Sequence, residues 1–282
     1  TDIVREALTG VKPESYDSEL QSVVRPPTLC AGCPHRGFFQ AIKKKKGLMI
    51  NGDIGCYKLG ANAPLSALDT AICMGASLSM AHGAAQAYKV AGAKTKAVGV
   101  LGDYTFFHSG ITSLMDAVYN QSDSISVILD NRITGMTGHQ ENPGTGFTLM
   151  GKPAPEVDIP ALVKAVGIKE ENIYTVNPLH LDEVDKVLDA CIASEEPTVI
   201  ITRWPCVLKK FSQQDLDEFK GLHQTQCHII QDKCRNCKAC VRTGCPALMS
   251  SKDDVVIDVN SCVGCTVCKQ VCPFDAIEEV QR

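Results

Sequence analysis

No apolar run in this 282-residue chain reaches the length needed to cross a bilayer, about 20 residues. The nearest stretch, Ala71 to Ala87, is broken by Ser77, Ser79, His82 and Gln86. No signal peptide opens the chain. Neither sign of charge dominates: 28 Lys and Arg against 32 Asp and Glu leave a formal net charge of −4. Nothing electrostatic therefore calls for nucleic acid or an anionic membrane surface. A composition of 44% hydrophobic and 21% charged residues excludes disordered, collagen-like and coiled-coil classes. The chain opens on Thr1 rather than Met, as expected of part of a longer polypeptide.

Cysteine is what the chain has in abundance. Eight of its fifteen cysteines fall between Cys234 and Cys272. Clustered thiols in a chain without an export signal point to metal or iron–sulfur ligation in a reducing cytoplasm rather than to disulfides.

Residues 1–25 are polar, include Pro13, Ser15 and Ser18, and read as a linker or N-terminal arm. Residues 26–210 alternate apolar runs with amphipathic stretches. Ala97–Leu101, Ile125–Leu129 and Thr198–Thr202 read as buried strands, and Phe38–Lys46, Ala67–Val90, Ser109–Asn120 and Leu181–Ser194 as helices. This alternation predicts an α/β fold, a doubly wound and mainly parallel sheet with helices on both faces. Ligands bind such sheets at the carboxyl ends of the strands. Residues 211–226, polar and without a strand signal, read as a connector. Residues 227–282 hold few large apolar residues and need an internal staple.

That last segment repeats itself. Cys234-x2-Cys237-x2-Cys240 returns 28 residues later as Cys262-x2-Cys265-x2-Cys268, and the halves close on Cys245-Pro246 and Cys272-Pro273. The second half has the bacterial ferredoxin spacing, in which the fourth Cys serves the other cluster. The first half is one residue longer before its last Cys. Two [4Fe–4S] clusters are expected, one on Cys234, Cys237, Cys240 and Cys272, the other on Cys262, Cys265, Cys268 and Cys245. Structural zinc favours separated pairs of ligands over evenly spaced triplets. The segment resembles two-cluster bacterial ferredoxins, which implies a small α+β unit.

In the larger segment, Gly102-Asp103 follows one predicted strand, and Asn131 lies 28 positions after Asp103, just past another. A carboxylate and an amide carbonyl at two strand ends, with the Ile133 carbonyl as a third ligand, suit Mg²⁺. Phe107-His108-Ser109-Gly110 is expected to open a helix whose amides take a diphosphate. Spacing alone fits an unrelated pair of turns better.

The pattern resembles the thiamine diphosphate motif once three further segments are added: Gly135-Met136-Thr137-Gly138, Cys30-Ala31-Gly32-Cys33-Pro34-His35-Arg36 and Gly52-Asp53-Ile54-Gly55-Cys56-Tyr57. Together with the ferredoxin-like segment, residues 25–282 are similar to the alpha subunit of indolepyruvate:ferredoxin oxidoreductases, a branch of the 2-oxoacid:ferredoxin oxidoreductases. The resemblance implies a thiamine diphosphate-binding fold. It implies cofactor contacts from His35, Asp53, Gly55, Gly75, Ser77, Gly102, Asp103, His108, Ser109, Asn131, Gly135, Met136 and Thr137. It also implies a third [4Fe–4S] cluster, next to the cofactor, on Cys30, Cys33, Cys56 and Cys206. Residues alone leave these four as a CxxC redox pair or packed thiols. Tyr104 departs from the family pattern, which carries a small residue there.

The activity implied is oxidative decarboxylation of an arylpyruvate with coenzyme A, giving an arylacetyl-CoA and carbon dioxide, with electrons passed to a soluble ferredoxin. The activating Glu of thiamine enzymes is expected outside this chain, on a pyrimidine-binding domain or a second (beta) subunit of a hetero-oligomer. Competing readings are another 2-oxoacid oxidoreductase, an electron-transfer module with a non-catalytic thiamine domain, and a non-redox thiamine decarboxylase. Asp103 and Asn131 argue against the second, and the four placed cysteines against the third. Cys73, Cys191 and Cys227 read as packed thiols, Met74, Met80 and Met115 as core, His139 as a loop residue, and Lys43–Lys46 as a solvated helix end.

Overall fold

A computed structural model describes residues 2–12 and 26–282. Much of the expected arm, residues 13–25, lies outside the described residues. Asp2–Thr9 is a helix, α1, where a linker was expected. Ile3, Val4, Ala7 and Leu8 recur at helical spacing on one face of it, a short periodic signal that the polar reading of residues 1–25 passes over, and that face is exposed.

The larger unit follows in the order α2 (His35–Ile42), β1 (Leu48–Gly52), β2 (Thr70–Ala71), α3 (Ala76–Ala91), β3 (Lys96–Gly102), α4 (Asp103–Thr105), α5 (Ile111–Tyr119), β4 (Ile125–Asp130), α6 (Ile159–Ala165), β5 (Ile173–Val176), α7 (Leu181–Ala193) and β6 (Thr198–Arg203). Six strands form one sheet, β2-β1-β3-β4-β6-β5, and every pairing is parallel. Alternate residues of the central strands serve opposite cores, as the period of two requires. Val98, Val100, Val127, Leu129 and Ile200 pack with Phe38 and Phe39 of α2 and Val184 and Leu188 of α7. Leu101, Ile128, Val199 and Ile201 pack with Leu78 of α3, Leu114 of α5 and Val163 of α6. Both faces are covered, which is why these strands read as unbroken apolar runs.

Three expected boundaries move. The helix expected over 67–90 is split, because Gly75 takes φ +90° and the chain before it makes the short edge strand β2. The helix expected to open at Phe107 opens at Asp103 instead. Residues Phe106–Gly110 form a π-helical turn that joins α4 to α5. The connector is partly ordered. Ser212 and Asp215 form a reciprocal capping box at the start of α8 (Gln213–Glu218). A strand, β7 (Thr225–Ile229), already begins within it.

Beyond β7 lie β8 (Leu248–Ser250), β9 (Val255–Ile257), α9 (Val267–Gln270) and β10 (Ile277–Gln281). Two antiparallel ladders, β7 with β10 and β8 with β9, make up the sheet structure. The core here is largely thiol: Cys227, Ala247, Cys262 and Ile277 are buried, with Cys240, Cys245, Cys268 and Cys272 packed on them. No helix among the described residues is long and apolar enough to cross a membrane.

Candidate cofactor site and cysteine cavities

The carboxyl ends of β1, β3 and β4 open on a partly open cleft of about 150 Å³. Of the expected cofactor and Mg²⁺ residues, His35, Gly55, Gly102, Asp103, Asn131, Ile133, Gly135, Met136 and Thr137 line it. Asp103 is buried. Its Oδ1 accepts the Tyr104 N–H at 2.8 Å and its Oδ2 accepts Asn142 Nδ2–H at 3.0 Å. Burial and the neighbouring Asp130 carboxylate push its carboxyl well above the usual carboxylate range. Asp130 is paired with Arg203 at 2.9 Å, whereas Asp103 has no ion pair among the described residues. A buried carboxylate held only by amide donors, beside a second carboxylate, is a group that a divalent cation would stabilise.

Asn131 supplies the second oxygen. Its Nδ2 lies 3.5 Å from His35 Nε2, and its Oδ1 accepts no hydrogen bond among the described residues. His35 stacks edge-on to Tyr57. Burial pushes its pKa down to about 4, so the imidazole is neutral at ordinary pH. The donor set of carboxylate, amide oxygen and main-chain carbonyl fits Mg²⁺. No three His, Cys, Asp or Glu side chains among the described residues converge on a single ion position.

The remaining expected cofactor residues lie outside the cleft lining. Asp53 is fully buried, and its oxygens are taken by main-chain N–H groups: Ile54 at 2.7 Å, Gly75 at 2.7 Å and Ser77 at 2.9 Å. It clamps the start of α3 to the end of β1, satisfying amides that a helix start leaves without partners. Gly75 and Ser77 therefore face Asp53. A Cβ at Gly75 would overlap Ser109 Oγ, which in turn lies 3.0 Å from His108 Nδ1. His108 is exposed, and its ring centroid is 6.0 Å from that of Tyr104. Because the helix opens at Asp103, the amides of residues 107–110 belong to the π-helical turn, not to a free helix start. Met74, expected in the core, lines the cleft; Met115 and Cys73 are exposed.

Cys56 belongs to the same cleft, its Sγ 3.6 Å from where a Gly135 Cβ would stand. It shares its electrostatic surroundings with Cys30, as do Cys33 and Cys206. Burial raises the pKa of Cys33, Cys56 and Cys206, and each feels the charge of Cys30. The four cysteines expected to form a third site are thus neighbours. Asn131 joins them to the cleft: its main-chain carbonyl accepts the Cys206 N–H at 2.9 Å.

One residue that sequence reasoning missed holds this loop in place. Arg36 is 1% exposed, and its guanidinium donates to Leu29 O at 2.6 Å, Cys30 O at 3.1 Å and Thr243 O at 2.7 Å. A buried guanidinium usually announces itself through an acidic partner, and here the partners are carbonyls that carry no sequence signal.

The C-terminal cysteines divide between two cavities. One is lined by Cys234, Cys237, Cys240 and Cys272, the other by Cys245, Cys262, Cys265 and Cys268 with Cys227. In each cavity a triplet meets the closing cysteine of the other half. The second cavity is also walled by Ala31, Gly32 and Arg36 of the larger unit. A Cβ on Gly32, whose φ is +70°, would overlap Val263, so the Cys30–Cys33 loop lies directly on the Cys262–Cys265 loop.

Comparison with known proteins accords with this geometry. The thiamine pyrophosphate enzyme family, C-terminal TPP-binding domain, matches residues 53–202, and the 4Fe-4S binding domain matches residues 255–278. Indolepyruvate oxidoreductase subunit IorA of Archaeoglobus fulgidus is 39% identical over 95% of this chain and 42% of that protein. The IorA subunit of Thermococcus kodakarensis is 38% identical over 95% and 43%. The chain thus spans less than half the length of these relatives. A solved 2-oxoglutarate:ferredoxin oxidoreductase from Magnetococcus marinus shares the fold, with a TM-score of 0.57 at 17% identity, covering 72% of this chain and 71% of that one. The chain belongs to the thiamine pyrophosphate enzymes through its C-terminal TPP-binding domain, and it is similar to indolepyruvate oxidoreductase IorA subunits along nearly its whole length.

Proposed function

We propose that this chain is the thiamine diphosphate- and iron–sulfur-bearing part of an enzyme that oxidatively decarboxylates arylpyruvates, indolepyruvate foremost. In the overall reaction, the 2-oxoacid and coenzyme A give an acyl-CoA, carbon dioxide, a proton and two electrons for ferredoxin. The observation that carries this reading is Cys56, which lines the cleft holding Asp103 and Asn131 while neighbouring Cys30. The names of the IorA relatives supply the substrate. The solved neighbour, described with coenzyme A and succinyl-CoA bound, supplies the thioester precedent.

Thiamine diphosphate, when bound, supplies the nucleophilic carbon and the electron sink, and [4Fe–4S] clusters supply one-electron acceptors. The chain's own residues do the rest. Asp103, Asn131 and the Ile133 carbonyl would hold Mg²⁺ and so anchor the diphosphate. Neutral His35 orients the Asn131 amide. Gly102 makes room for the Tyr57 ring at the cleft wall, and Gly135, Met136 and Thr137 line one side. Cys30, Cys33, Cys56 and Cys206 would hold the nearest cluster. The cavity at Ala31 and Gly32 would hold the next, and the Cys234 cavity the last. Exposed Ile72, Met74, Tyr104 and Met136 suit a pyrimidine-binding domain or beta subunit bringing the activating Glu. At the far end, Lys43, Lys44 and Arg242 line a cleft that reaches Cys272 and contains no carboxylate, a surface suited to an acidic ferredoxin.

Iron and acid-labile sulfide analysis of anaerobically purified protein tests the wiring. About twelve irons per chain are expected from three cubanes, and about eight would remove the site at Cys56. Assayed without its partners, the chain should not reduce a dye with arylpyruvate; substantial turnover would overturn the need for an outside Glu.

A further inference from the structure

The two C-terminal cavities are not chemical equals. Five thiols wall the one at the seam with the larger unit, and the fifth, Cys227, comes from the middle of β7. It is fully buried. Its main-chain N–H donates to Cys262 Sγ at 3.2 Å, and its own thiol shares the cavity wall with those of Cys262 and Cys268. The placement is enforced, since a Cβ at Gly264 would overlap Thr225 and the cysteine loop therefore lies flat on β7. At the matching cavity the walls around Cys234, Cys237, Cys240 and Cys272 include Ile229, Val255, Phe274 and Ile277, with no fifth thiol.

A cubane offers four corners. Cys245 closes the first half-repeat as Cys272 closes the second, so Cys227 is left over as a protein thiol with a proton to donate. Hydrogen bonds to cluster sulfurs are among the levers that set cluster potential. A donor stabilises the extra negative charge of the reduced state. We propose that Cys227 is a positioning residue whose S–H group, on the same cavity wall as the Cys262 and Cys268 sulfurs, makes the seam cluster easier to reduce than the cluster on Cys234, Cys237, Cys240 and Cys272. This rests on the two-cluster reading given under Proposed function. An electron arriving from the Cys30 side then settles first at the seam.

The test is a redox titration followed by electron paramagnetic resonance on the intact, anaerobically purified protein, with Cys227→Ala and Cys227→Val. The valine variant fills the space without a donor and guards against a collapsed cavity. Both should keep the full iron and sulfide content. In both, one midpoint should move negative by at least about a threefold change in its one-electron equilibrium, ~30 mV at 59 mV per tenfold. Unchanged midpoints would overturn the proposal. So would the loss of about four irons, which would make Cys227 a ligand instead. A wild-type protein lacking two such clusters would sink the underlying reading and not this step alone.

Discussion

At the scale of single residues, the site sets carboxylate chemistry against stability. Asp103 has a folded-state pKa raised by burial and by Asp130, so its charged form costs stability at neutral pH until a cation arrives. Asp103→Asn should therefore stabilise the cofactor-free protein by about 1 kcal/mol, seen as ~2–4 °C in melting temperature. The same variant should lose the further rise that thiamine diphosphate with Mg²⁺ gives the wild type. A lower cofactor-free melting temperature would count against this account. His35 works in the opposite sense. Its folded pKa is about 4 against an ordinary 6.5, so the unfolded chain binds the proton first as pH falls. The stability contributed by neutral His35 is present above pH 6.5 and is lost progressively towards pH 4, by about 2 kcal/mol at pH 5. Urea midpoints of wild type and His35→Gln at neutral and mildly acid pH should converge as the medium is acidified. Asp103 and Asn131 meet in one cleft and the repeated cysteine triplets in two cavities. The triplets are marked by their own spacing, whereas Asp103 and Asn131 stand out only through the resemblance to thiamine enzymes, since their spacing alone fits an unrelated pair of turns. The role of Asp53 was not legible in the sequence. A carboxylate next to a glycine reads the same whether it faces a ligand or the amides of a helix start, and here it faces Gly75 and Ser77.

At the scale of elements, β3, β4 and β6 were readable as apolar runs since both faces are covered. Edge strand β2 and the short β5 carry too few such residues. The loop from Cys30 to Cys33 shows a contact that no local pattern encodes. Gly32 combines a left-handed backbone with close approach to Val263, so Gly32→Ala meets both a conformational and a steric penalty. A loss of roughly 1–3 kcal/mol is expected. Val263→Ala in the same chain should recover the steric share and leave the backbone share, giving a clear interaction energy in a double-mutant cycle. Additive losses would mean that the two loops do not press on each other.

At the scale of the whole molecule, charge is arranged where it is least visible in the total. The net charge of −4 conceals a run of cations around the outer cysteine cavity: Lys43, Lys44 and Arg242 in the cleft, with Lys233, Arg235 and Lys238 interleaved among the cysteines. Electron delivery to an acidic carrier should slow as salt is raised. Lys44→Glu should lower the second-order rate roughly threefold or more at low ionic strength, with little change in turnover with a neutral dye. Stopped-flow reduction of a ferredoxin across a salt series checks this, and a flat profile would argue that the carrier lands elsewhere.

The Arg36 guanidinium has a further consequence. It is shared between carbonyls at Leu29, Cys30 and Thr243. Nearby, Gln270 accepts from Leu181 N–H and donates to Leu179 O. Peptide continuity through residues 211–226 is then not what keeps the two halves together. A protease cut there should leave fragments that travel as one species on gel filtration and part only in denaturant, whereas Arg36→Met should let the same cut fragments drift apart.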